Sequence, residues 1–182
     1  MDWIEKQTRA LEAMAGDITA EFSSLSAETA DYKLDANTWS INECFDHLME
    51  SNRKYYDLFE SLHDGTYRRA SLSRIPLLSR WLGRLVVRVV SPDYNGRSRT
   101  SHKLYPRQLR YGRNLADDLV EENQVLIDQI RRCAGHDLDR VVASPINNLV
   151  AYSLGDCIRI LVDHEARHIG QARNVKAGLA RA

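Results

Sequence analysis

From Leu154 to Val175, apolar residues and two histidines recur at steps of three and four: Leu154, Cys157, Leu161, His164, His168, Ala172 and Val175. That spacing draws one stripe along an α-helix, and such a stripe must be buried against other helices or a sheet. His164 and His168 therefore point where the apolar residues point. Four residues apart, they lie one above the other, so both imidazoles can reach a single metal ion. A lone buried histidine reads most simply as a core residue with satisfied nitrogens. Two stacked in one stripe must each find partners for their polar atoms, which favours a shared ion.

His164-Glu165-Ala166-Arg167-His168 also matches H-E-x-x-H, the metalloprotease signature. A site of that class takes a third ligand, usually downstream of the motif. Only fourteen residues follow His168, and none is His, Asp, Glu or Cys. A third protein ligand has to come from upstream, on a different element.

The best upstream candidate is His47. Ser40 followed by Glu43 is a capping box, with Trp39 placed to staple onto Cys44. The helix so opened runs through Leu48, Tyr55, Leu58, Phe59 and Leu62 and stops at Asp64-Gly65, where glycine supplies a left-handed residue. His47 falls on its inward side. A first helix is predicted over about 2–26, then a polar connector over 27–38. A further apolar helix over 73–90 carries Arg80, Arg84 and Arg88 on its other face, and a basic loop follows over 91–105. Pro106 suits the first turn of a helix that Leu109, Leu115, Leu119, Leu126 and Ile130 carry to Gly135. A long connection then leads to Ser153, which caps the histidine helix. No run alternates with period two beside a hairpin turn, and Val141-Val142-Ala143 is too short to count as a strand. The expectation is an all-α fold: one domain over 1–182, a four-helix bundle with an inserted amphipathic helix, the insertion covering about 68–105.

Metal sites in bundles are built from inward side chains on facing helices. His47, His164 and His168 would occupy one side of a divalent ion and leave positions open. An all-nitrogen set suits Zn, Ni, Cu or Fe(II). Gln171 follows His168 by three residues and faces the same region, where it could bond a ligand. Glu165 is the candidate base if the chemistry is hydrolytic.

Trp39-Ser40-Ile41-Asn42-Glu43 leading to His47, with His164-Glu165-Ala166-Arg167-His168-Ile169-Gly170-Gln171 on the last helix, resembles the DinB-like superfamily. The resemblance spans both signatures and their order across nearly the whole chain. It implies a four-helix bundle, His47, His164 and His168 as metal ligands, and a homodimer, with the apolar 75–90 helix available for its interface. The superfamily includes mycothiol- and bacillithiol-using transferases and isomerases and members described as metal-dependent hydrolases. The resemblance thus implies a metal-dependent enzyme of the thiol-transferase type, using a low-molecular-weight thiol. A metal-dependent hydrolase is the alternative. A non-enzymatic binding module with a structural metal is a third reading.

Charge gives one more hint. The chain is formally neutral, but Arg68 to Arg113 holds twelve Lys/Arg and one acid, Asp93. Such an excess suits a small anionic substrate or a membrane surface. The segment shows no nucleic-acid reading motif, which argues against nucleic acid. Three cysteines without a CxxC pair fit a reduced, cytoplasmic protein, as does a start with no basic and apolar leader. Cys44 and Cys157 fall on apolar stripes and read as packing residues. His63, His102 and His136 lie near turns and read as solvent-facing.

Overall fold

A computed structural model describes residues 2–68, 76–91, 105–108, 110–147 and 150–180. The chain forms α1 (Trp3–Phe22), α2 (Ala27–Asp31), α3 (Ile41–His63), α4 (Pro76–Val90), α5 (Ala116–Arg131), β1 (Val141–Ala143), β2 (Ala151–Ser153) and α6 (Leu154–Leu179). Helices α1 and α3 each pack against both α5 and α6. The four long helices therefore form a ring, with α1 and α3 across its diagonal. Phe22 and Phe45 meet over that diagonal edge to face, ring centres 5.3 Å apart. The architecture is all-α, as the periodicity requires.

Local chemistry explains the boundaries. The Ser40 hydroxyl accepts the Glu43 amide at 3.1 Å, while the Glu43 carboxylate accepts the Ser40 amide at 2.7 Å. Both halves of the predicted capping box are thus made, and orphan amides of the first turn are satisfied. At the other end of α3, Gly65 takes a φ of 76°, which a side chain would oppose. Ser153 caps α6 through the Asp156 amide at 3.0 Å.

Three expectations are revised. Residues 27–31 of the expected connector form the short helix α2. The helix expected to begin at Pro106 begins at Ala116. Competing bonds hold the preceding segment out of helix: Gly112 has φ 66°, the Asp31 carboxylate accepts the Tyr111 and Gly112 amides, and Asn42 accepts the Leu115 amide. Val141–Ala143 does pair, antiparallel with Ala151–Ser153, as a two-stranded ribbon leading into α6. Its strands are too short for alternation to register in sequence.

Helix α4 lies outside the ring, against α6 and β2. Gly83 permits this approach, since a Cβ there would stand 2.7 Å from the Cβ of Tyr152. Val86, Val87 and Val90 cover the core beneath. The opposite face exposes Trp81, Leu85, Arg84 and Arg88. The basic loop expected over 91–105 lies almost wholly outside the described residues, as do Leu109 and His102.

The buried apolar residues divide into two clusters. One joins Ile18, Phe22, Phe45, Leu48, Leu119, Ile169 and Ala172. The other joins Leu11, Tyr55, Phe59, Leu126, Ile130, Tyr152 and Leu161. Between them, along α3, α5 and α6 alike, runs a layer of polar side chains that contains the candidate site.

Candidate metal centre

Within α3, every residue from Ile41 to Met49 is buried, four polar ones included: Asn42, Glu43, Asp46 and His47. Four polar groups out of water need four explanations. Asn42 donates to Asp31 and to the Arg113 carbonyl. Glu43 completes the cap and meets Lys33 at 3.0 Å. Asp46 accepts from Arg107 three times, at 2.8 Å from its amide and at 3.0 and 2.6 Å from its guanidinium. These bonds hold the Asp46 carboxyl below the usual carboxylate range against the cost of burial. His47 is left, and it turns to α6.

His47 Nε2 stands 3.1 Å from His164 Nε2. The ring centre of His168 lies 4.5 Å from each of the other two imidazoles. One nitrogen from each of the three rings falls within 4.8 Å of the others. Two nitrogens bound tetrahedrally to zinc at about 2.0–2.1 Å would stand about 3.3 Å apart, close to the separation found. The three histidines named from the sequence are thus brought together by facing turns of α3 and α6, His47 and His168 buried and His164 half-buried.

The site also has the electrostatics of a ligand set. Burial, with His47 and Arg167 nearby, pushes the His164 pKa from 6.5 down to about 3. Burial and the same neighbours, with His164, hold His168 well below its ordinary value. At neutral pH both rings are uncharged, with lone pairs free for a cation. His168 Nδ1 is buried without a hydrogen-bond partner, a cost that coordination in this site would offset. On these grounds the residues fit a divalent ion.

Trp39 forms the wall. Its indole stacks on His168, with centres 5.7 Å apart and planes at 21°, and tilts over His47 at 4.9 Å. Tyr105 meets the indole edge at 6.3 Å. The bonds from Arg107 to Asp46 tie down the segment that carries Tyr105. Arg167 donates to the Val89 carbonyl at 2.7 Å, joining the histidine turn of α6 to the end of α4. Sequence reasoning missed the roles of Trp39, Tyr105 and Arg167. The capping box drew attention to Trp39 only as a staple, Tyr105 sits in a segment without a motif, and Arg167 occupies a position that the H-E-x-x-H pattern leaves open.

The remaining candidates are placed as follows. Gln171 is exposed beside His168 and acts on it through its side chain. Glu165 is fully buried, and Asn52 donates to its carboxyl at 3.4 Å. His63 and His136, expected to face solvent, are half-buried and face each other, ring centres 5.6 Å apart. The His63 ring stacks on Phe59, and Arg132 stands near it. Cys44 and Cys157 are buried in the apolar clusters.

A pH dependence follows for the metal-free protein. In the unfolded chain His164 and His168 protonate near 6.5, whereas in the folded chain they stay neutral to far lower pH. Below about pH 6.5 the unfolded state binds more protons, so stability falls with pH through the window down to the folded value. The denaturant midpoint of metal-free protein is expected to be lower at about pH 5 than at about pH 7. His164→Gln should flatten that slope; an unchanged slope would contradict the assignment.

No curated protein and no solved structure matches the chain. A family model does: that of the DinB superfamily, over residues 10–172, a span that holds both signatures and all three histidines. The helical bundle and this match together establish that the chain belongs to the DinB superfamily.

Proposed function

We propose that the protein is a metal-dependent enzyme in which His47, His164 and His168 hold one divalent ion, zinc, nickel or iron, with an open side for substrate. The observation that carries this reading is the convergence of three imidazoles, with burial keeping His164 and His168 uncharged at neutral pH and the His164 ring half-open to solvent. When bound, the ion would supply Lewis acidity that makes a coordinating thiol or water more acidic.

The reaction we favour is transfer of a low-molecular-weight thiol to a small electrophile. Family membership supports a metal-associated site, and the burial of Glu165 takes from the hydrolytic alternative the base that its motif offered. The chain's own residues would bound the substrate: Trp39 and Tyr105 as an aromatic wall, Gln171 as a hydrogen-bonding group at the rim. Part of the basic excess is already engaged, since Arg107 pairs with Asp46 and Arg113 with Asp118. The arginines left in the 68–113 segment would favour an anionic thiol.

Metal-loaded protein assayed against a panel of thiols and electrophiles, beside ester and amide substrates, tests this. We expect metal-dependent conjugation that Gln171→Ala weakens. Hydrolysis without any thiol requirement would replace the transferase by the hydrolase. No metal-dependent turnover of either kind would leave a binding module with a structural ion.

A further inference from the structure

The polar layer between the two apolar clusters holds more than the histidines. Asn52 on α3 lies between Met49 and Tyr55, Asn123 on α5 between Leu119 and Leu126, and Glu165 on α6 between Val162 and Ile169. All three are 0 % exposed. Only one hydrogen bond joins them within reach of accepted geometry, the 3.4 Å contact from Asn52 Nδ2 to Glu165 Oε2. Asn52 Oδ1, both amide atoms of Asn123 and Glu165 Oε1 are buried without a partner. Asn123 also stands within hydrogen-bonding range of the Glu165 carboxyl, with no direct bond of good geometry between the two. The groups surround one another without closing directly.

We propose that Asn52, Asn123 and Glu165 hold an ordered internal water that ties α3, α5 and α6 together beside the metal centre. The unmatched set contains one donor group, the Asn123 NH2, and three acceptors, Asn52 Oδ1, Asn123 Oδ1 and Glu165 Oε1. A water serves both kinds: it donates twice, to the carboxylate and an amide oxygen, and accepts from the amide nitrogen. That is about the three bonds a buried water makes. A bare cation would meet the oxygens and leave the amide nitrogen unmatched. Exchanging the Asn123 oxygen and nitrogen does not alter the argument, because both are without partners. Apolar collapse is excluded by the groups themselves, since buried polar atoms of this number are rarely left orphaned. Glu165 then serves as a tie across three helices, fixing the turn that carries His164 and His168. It is a positioning residue, and the inference does not depend on the metal.

A high-resolution crystal structure of the wild-type protein and of Glu165→Gln and Asn123→Leu provides the test. The wild type should show one solvent peak within hydrogen-bond distance of Glu165 and Asn123. Glu165→Gln, which keeps an acceptor, should retain it, and Asn123→Leu should lose it. As a readout independent of the folding of Asn123→Leu, the Asn123 side-chain amide protons of the wild type are also probed for a long-lived water by magnetisation transfer. Direct closure of the carboxyl on both amides, with no peak and no transfer, overturns the proposal. So does a peak ringed by oxygens alone that rubidium replaces in a soak, which would make the occupant a cation. Elemental analysis of the same wild-type sample separates the two readings: a water without metal keeps this inference and removes the metal centre.

Discussion

Replacing His47 with alanine is expected to abolish stoichiometric metal binding while leaving the helix content unchanged. Of the three candidate ligands His47 alone lies outside α6, so its loss leaves two imidazoles on one helix and opens the site toward α3. Loss of groups that merely orient a ligand costs 10–100-fold in metal affinity, so removal of a ligand should cost more than about 100-fold. Elemental analysis after dialysis against weak chelator, with a zinc titration beside it, measures this. His63→Ala is the matched control and should keep full occupancy, because the His63 and His136 pair belongs to an aromatic cluster with Phe59 rather than to the three-ring site. Full metal content in His47→Ala would remove the assignment.

Phe45→Ala is the second large effect. Phe45 is wholly buried two residues before His47 and packs edge to face on Phe22 across the diagonal of the ring. Truncating such a ring costs about 3–5 kcal/mol, from lost transfer energy and from the cavity left behind. For a chain of this size, the midpoint of thermal unfolding should fall by roughly 10 °C. Metal should raise that midpoint again, by adding about 2.7 kcal/mol of stability at a free concentration one hundred times the dissociation constant. The same addition should raise the midpoint of the wild type and leave that of His47→Ala where it was. Loss of the metal response in Phe45→Ala would mean that this cluster also shapes the site.

The parts of the molecule that were legible in the sequence are those where one local rule acts alone. The stripe from Leu154 to Val175 and the Ser40–Glu43 box each depend on neighbours a few residues away, and both are found as read. The pairing of His47 with His164 is a contact over more than a hundred residues, yet it was reachable because ligand number demanded a third partner and the bundle offered a facing helix. The start of α5 was not reachable in this way. Pro106 is compatible with a helix, but Asp31, Asn42 and Asp46 draw Arg107, Tyr111 and Leu115 into other bonds, and those residues are distant in sequence. The same holds for the stretch from Ile41 to Met49, which is buried on every side. An amphipathic reading expects one wet face there, and the docking of α2, Lys33 and the segment bearing Arg107 and Arg113 against α3 removes it. Its place in a motif makes Glu165 a candidate base. Its partners Asn52 and Asn123 lie on two other helices, and no spacing rule connects the three.

The stacking of Trp39 on His168 has a practical consequence. The chain has three tryptophans: Trp39 lies against two of the three imidazoles, whereas Trp81 is open to solvent and Trp3 packs beside the far apolar cluster. Indole emission responds to the charge of whatever touches its face. The Trp39 signal is therefore a built-in optical gauge of the site. It should shift as a cation enters between the histidines, and the response should vanish in Trp39→Phe. The occupancy of the centre can then be followed in real time, without a label and without knowing the substrate.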